Sequence, residues 1–220
     1  MTELTRELFL ERSDHSILRP TATLQEYTDG LEFAAEVNVG AVCVSPHRLG
    51  LARRILQGTG ITLATVVGFP SGCHATEAKV AEARQCIADG ATGLDMVMDI
   101  GAMLSGEDAM VQDDIAAVVR AAEEVPVKVI LEVYYLSDDQ IARACALATD
   151  AGVAYVKTAT GFAPGGATPH NVALLRSSAG AHVKVKASGG ISSLADVRAV
   201  YAAGADRWGI SRTREILAEF

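Results

Sequence analysis

Lysine is scarce in this chain. Of the 19 basic residues among 220, 14 are Arg and only five are Lys: Lys79, Lys128, Lys157, Lys184 and Lys186. Four of the five sit inside apolar runs, where a role in surface solubility explains them least. Other absences narrow the function. The net charge is −8, so no broad basic surface for nucleic acid is expected. No run of about 18 apolar residues occurs, so no membrane span is expected. The four cysteines, Cys43, Cys73, Cys86 and Cys145, form no CxxC pair. They read as reduced thiols of a cytoplasmic protein rather than as a disulfide framework. Met1–Asp14 carries acidic residues and no apolar centre, which argues against a secretory signal. The histidines His15, His47, His74, His170 and His182 show no HxH or HExxH spacing, so no metal site is expected.

What the sequence does have is a rhythm. Short β-branched or apolar runs alternate with longer Ala-, Leu-, Glu- and Arg-rich segments of helical spacing. The runs are Ser16–Leu18, Val39–Val44, Thr62–Val67, Leu94–Met98, Val127–Glu132, Ala154–Thr158, Val183–Ala187 and Arg207–Ile210. Helices are predicted at Leu24–Glu36, Arg48–Gln57, Thr76–Ala88, Asp113–Glu123, Asp138–Asp150, Pro169–Ser177, Ser193–Ala203 and Thr213–Ala218. Ser137-Asp-Asp-Gln140 has the form of a capping box. Gly90, Gly152 and Gly204 follow Ala-rich helices, where a helix stop belongs. Eight such units predict a single-domain (β/α)₈ barrel over residues 1–220, with a doubly wound open sheet as the other arrangement of the same pattern. Glu3–Glu11 is expected to form an extra helix at or near the barrel bottom.

A barrel of this kind carries its chemistry at the C-terminal ends of its strands. Lys157 ends one apolar run and Lys186 lies in the next, so the two amines are expected to be neighbours. Burial and a neighbouring cation both favour a neutral amine, which can attack a carbonyl and form an imine. The alternative is a purely structural pairing with carboxylates such as Asp95 or Glu132. Asp95, alone in an apolar run, needs a cation or a water network. Asp99 is expected at the strand end. Lys184 shares strand parity with Lys186. Lys128, near the start of its strand, is expected at the bottom rim or in solvent, and Lys79 is given an ordinary helical role. Gly161, Gly165-Gly166, Gly189-Gly190 and Gly209 crowd the last three strand-to-helix loops. Their amides, with the Ser211 hydroxyl and the Arg212 charge, suit a phosphate.

Seven segments together resemble deoxyribose-phosphate aldolases, a class I aldolase family. They are Asp14-His-Ser-Ile-Leu-Arg-Pro20, Val42-Cys-Val-Ser-Pro46, Val66-Val-Gly-Phe-Pro-Ser-Gly72, Thr76-Glu-Ala-Lys79, Leu94-Asp-Met-Val97, Val156-Lys-Thr-Ala-Thr-Gly-Phe162 with Gly165-Gly-Ala-Thr168, and Val185-Lys-Ala-Ser-Gly-Gly190. The resemblance runs from about Asp14 to the end of the chain. It implies a barrel that reversibly cleaves 2-deoxy-D-ribose 5-phosphate to acetaldehyde and D-glyceraldehyde 3-phosphate, without a metal or organic cofactor. By the same resemblance Lys157 is the Schiff-base lysine, Lys186 keeps it nucleophilic, and Asp95 belongs to the proton relay. Asp14, Cys43 and Thr160 correspond to pocket positions near the sugar. Gly161, Gly189, Gly190, Gly209 and Ser211 correspond to the phosphate loops, and a homodimer is the family-level expectation. Arg212 stands where a second Ser is common, and Thr92-Gly93 where acidic residues are frequent. Those departures leave two alternatives: a related barrel aldolase for another aldehyde or sugar phosphate, and a non-catalytic sugar-phosphate-binding barrel.

Overall fold

The computed structural model describes residues 3–220. Eight parallel strands close a barrel in chain order: β1 Ser13–Ile17, β2 Ala41–Val44, β3 Thr62–Val67, β4 Gly93–Val97, β5 Val127–Ile130, β6 Tyr155–Lys157, β7 Lys184–Ser188 and β8 Arg207–Ile210. β8 pairs back onto β1 with Asp14 opposite Gly209. The helices are α1 Arg6–Arg12, α2 Leu24–Val37, α3 Leu49–Ile55, α4 Thr76–Ala88, α5 Ile100–Ser105, α6 Asp108–Ala122, α7 Asp138–Asp150, α8 Pro169–Ser178, α9 Leu194–Ala202 and α10 Thr213–Leu217. The open-sheet alternative is thereby set aside. None of the described helices is long and apolar enough to cross a membrane.

Strand period two divides the side chains between two environments. Outward residues such as Val42, Leu94, Met96, Val129, Val156, Val185 and Trp208 meet the helices in the main apolar core. Each large side chain fully buried there contributes roughly 1.5–3 kcal/mol. The inward residues are polar to an unusual degree: Asp14, Asp95, Lys128, Lys157, Lys186 and Ser188 are all buried. A barrel interior normally holds branched apolar side chains. Here the stability comes from the outer layer, and the inner one is free for chemistry.

α1 packs beside the barrel rather than plugging it. Its Phe9 stacks on Trp208 of β8, with ring centroids 6.2 Å apart, and the Trp208 indole N–H donates to the Phe9 carbonyl at 3.2 Å. The last turn of α1 passes so close to Gly40 that a Cβ there would lie 1.7 Å from the Glu11 carbonyl oxygen. Only glycine fits at that crossing.

Three sequence expectations change. β1 starts at Ser13, not Ser16, because its polar residues are buried with partners that local pattern cannot show. The Ser13 hydroxyl donates to the Phe9 carbonyl at 2.7 Å, and His15 Nδ1 lies 2.9 Å from Thr213 Oγ1. The predicted helix Asp113–Glu123 instead begins at Asp108, preceded by α5, which Asp99 caps through a 2.9 Å bond from the Ala102 amide. The third change is Lys79. It is fully buried, 2.6 Å from Asp114 of α6, and donates to the Val97 carbonyl at the end of β4 at 3.1 Å. Removing one partner of a buried pair costs about 3–5 kcal/mol. Lys79→Met is therefore expected to lower the unfolding free energy by that amount, read as a lower urea midpoint by circular dichroism. An unchanged midpoint would contradict the pairing.

Candidate active site

The functional side chains stand on adjacent strands because strand register puts them there. β6 and β7 align Lys157 with Lys186, and β4 and β5 align Asp95 with Lys128. Asp95 sits at the centre. Its Oδ2 accepts from Lys157 Nζ at 2.8 Å and from Lys186 Nζ at 2.7 Å, while its Oδ1 accepts from Lys128 Nζ at 3.0 Å. Lys186 also donates to Asp14 Oδ2 at 2.5 Å, and the Arg207 Nε donates to Asp14 Oδ1 at 2.6 Å. The two expected lysines and Asp95 are thus one connected network, and Asp14 joins it.

Lys128 corrects the sequence reading. Its Cα is near the start of β5, but its side chain climbs inside the barrel to Asp95 and is 4% exposed. A rim residue in solvent would pair with nothing so deep. Lys184 does share the inward parity of Lys186, yet it lies one layer lower and is exposed, with its amine 5.7 Å from the Tyr155 ring centroid.

Electrostatics separates the lysines. Burial pushes the Lys157 amine down, Asp95 pulls it back up, and the Lys186 charge lowers it again; the net shift is downward. Burial also acts against Lys186, but Asp14 and Asp95 overcome it and hold that amine charged. Both carboxyls resist burial through the same ion pairs. Lys186 and Arg207 hold Asp14 at about 2, and Lys128, Lys157 and Lys186 hold Asp95 well below the usual carboxylate range. Two carboxylates face four cationic groups, so the charge balance favours loss of one proton. Lys157 is the lysine whose surroundings release it.

Above the network lies an open cavity of about 490 Å³. Lys157, Thr160, Gly161, Gly189, Gly190, Gly209 and Ser211 line it. Gly190 has φ +83° with nothing within 4 Å of an added Cβ, so its backbone borders open space in a conformation glycine adopts without strain. Cys43 is buried inside the barrel in a small apolar cluster with Ala64 and Val66, against which Leu18 and Phe69 pack. Burial pushes its thiol up to about 11, so it carries no charge at neutral pH. Arg212 stays off the cavity wall, exposed and 3.9 Å from Glu215. The arginines on the wall are Arg19 and Arg214, to which sequence reasoning gave no site role. Arg214 is exposed, and its guanidinium lies 4.0 Å from the Phe33 ring centroid.

Glu132 lies two residues beyond the end of β5. It pairs with neither Lys157 nor Lys186, but takes the Thr160 amide and the Thr160 hydroxyl. Burial pushes its carboxyl up, against the pull of those donors. The signal in the sequence was a charge closing the apolar run Val127–Leu131.

Known proteins resemble this one in sequence and fold over nearly the whole chain. A deoxyribose-phosphate aldolase of Caldanaerobacter subterraneus is 43% identical over 210 residues, 94% of this chain and 91% of that protein. A crystal structure from Coccidioides immitis, assigned provisionally to the same enzyme, superimposes with a TM-score of 0.96. It is 36% identical, and the match covers 100% of this chain and 88% of that one. The deoxyribose phosphate aldolase of Aeropyrum pernix, described as a unique tetramer, gives a TM-score of 0.92 at 31% identity, covering 98% of this chain and 92% of that one. Residues 12–218 match the DeoC/LacD family aldolase model, and with an eight-stranded barrel that sets two aligned lysines around one aspartate, the chain belongs to that aldolase family.

Proposed function

We propose that this protein is a class I aldolase that reversibly cleaves 2-deoxy-D-ribose 5-phosphate to acetaldehyde and D-glyceraldehyde 3-phosphate. The observation that carries the proposal is the unequal pair of amines: Lys157 shifted down and open to the cavity, Lys186 held charged beneath it.

In the synthetic direction the neutral Lys157 amine adds to the acetaldehyde carbonyl, and loss of water leaves a protonated imine. The iminium draws electrons from the adjacent methyl carbon, which gives up a proton and becomes the terminal carbon of an enamine. That carbon attacks the aldehyde of glyceraldehyde 3-phosphate, whose oxygen takes a proton as the new C–C bond forms. Water then adds to the imine, frees the sugar phosphate and returns Lys157 to the amine. Asp95, bonded to both lysines, with Lys186 and a water, relays the protons. Lys186 cannot replace Lys157 as nucleophile, because its two carboxylate partners keep it protonated. The glycine-rich loops with Gly161, Gly189, Gly190 and Gly209, and the Ser211 hydroxyl, hold the phosphate through backbone and hydroxyl donors. Binding at that end holds the acceptor in register for attack.

The proposal includes a homodimer and a cytoplasmic location. Four free thiols, three of them buried, agree with a reducing compartment. The deciding experiment is borohydride reduction in the presence of acetaldehyde, followed by peptide mass mapping. An ethyl group on Lys157 is expected; a reduced adduct on another lysine, or none, would overturn the mechanism.

A further inference from the structure

Glu132 is 2% exposed and holds φ 54° and ψ 61°, left-handed values that a residue with a Cβ rarely adopts. Such backbone costs of order 1–3 kcal/mol and persists where surrounding bonds enforce it. Here the bonds on both sides do so. The Leu131 amide donates to the Lys157 carbonyl at 3.0 Å, and the Val133 amide donates to the Thr158 carbonyl at 3.0 Å. The strained residue is thus tied to the two positions that begin the Lys157 loop, and its side chain reaches Thr160 farther along it.

The hydrogen bonds at Thr160 fix what that residue can offer. A threonine hydroxyl has one proton and two lone pairs. The proton goes to Glu132, and the Phe162 amide donates to the oxygen at 3.0 Å. One lone pair remains, on a residue that lines the cavity. Thr160 therefore accepts from a ligand and has no proton to give. It also stands between Lys157 and Gly161 along the loop. In the acceptor aldehyde, a hydroxyl-bearing carbon stands in the same way between the reacting carbonyl and the phosphate-bearing carbon.

We infer that Glu132 is a positioning residue for acceptor selection: by taking the Thr160 proton, it fixes Thr160 as the acceptor for a hydroxyl next to the aldehyde carbon. The inference rests on the aldolase reading above. It assigns Glu132 no contact with substrate and no proton transfer.

The test compares kcat/KM for acetaldehyde addition to D-glyceraldehyde 3-phosphate and to 3-oxopropyl phosphate, which keeps the chain and phosphate but lacks the hydroxyl. The wild type is expected to favour the hydroxylated acceptor by about tenfold or more. Glu132→Gly removes the carboxylate at a backbone position that suits glycine. It should bring the ratio to within about twofold of one, while the value for 3-oxopropyl phosphate stays within about threefold of wild type. Glu132→Gln should restore most of the preference, because its amide oxygen can take the same two Thr160 hydrogens. Thr160→Val should lose the preference, and adding Glu132→Gly to it should remove no more. If Glu132→Gly does not fold, Glu132→Asp decides, since its carboxylate stops one methylene short of Thr160 and the ratio should again collapse. An unchanged ratio, or equal losses for both acceptors, would overturn the inference. A wild type active on both acceptors without preference would overturn this inference alone. Failure to condense acetaldehyde with either would overturn the aldolase reading and this inference with it.

Discussion

Lys157→Ala abolishes turnover of 2-deoxy-D-ribose 5-phosphate, with kcat/KM lower on the order of 10⁴-fold or more. The loss is this large because the covalent bond is the reaction's first event and no second amine is placed to form it. Lys186 is the nearest alternative in register, but Asp14 and Asp95 lie 2.5 and 2.7 Å from its nitrogen and hold its proton. Lys128 spends its amine on Asp95 at 3.0 Å, below the cavity. The fold should survive, since the change removes a buried amine and leaves Asp95 with two lysines. Steady-state cleavage, coupled to detection of the released aldehyde, reads the result. Residual activity above about one per cent of wild type would mean that another group can form the imine.

The second large effect is at Lys186. Lys186→Met keeps the length of the side chain and removes its charge. Two causes then act on Lys157 in the same direction. The repelling cation is gone, and Asp95 Oδ2, shared until then, is left to Lys157 alone. Both raise the Lys157 pKa, so less free amine is present at a given pH. The rising limb of the kcat/KM profile should move to higher pH by about one unit or more, which is tenfold less amine at neutral pH for each unit. Loss of the relay adds to this, so neutral activity should fall about 10²–10³-fold, and part of it should return at alkaline pH. Stability should fall by about 3–5 kcal/mol, because Asp14 keeps only Arg207 as a close cation. A pH profile of unchanged shape would contradict the two-lysine argument, even if the activity were low.

The barrel itself was legible in the sequence because its strands pair in chain order and its outer faces are apolar. Parallel strands buried by helices read as short apolar runs, and the intervening helices end at Gly90, Gly152 and Gly204, each with positive φ. The capping box at Ser137 and Gln140 formed as written. β1 was displaced by three residues because Ser13, Asp14 and His15 are polar, and local pattern reads polar residues as surface. Their partners, such as Thr213 and Arg207, are nearly two hundred residues away in the chain.

The candidate site divides in the same way. Residue types alone placed Lys157, Lys186 and Asp95 in apolar strands, and two neighbouring amines in apolar surroundings already pointed to imine chemistry. The glycine clusters pointed to an anion by the same local logic. What the sequence determined, then, was the barrel and the scarcity of lysine off its strands. Lysine can lose its proton and form an imine; arginine cannot. Only the tertiary structure decided which lysine is poised to react. That depends on unequal shares of Asp14 and Asp95, a matter of ångströms across barrel closure, which no spacing along the chain encodes. The same closure drew Lys128 inward, put Arg214 rather than Arg212 on the cavity wall, and turned Glu132 onto Thr160.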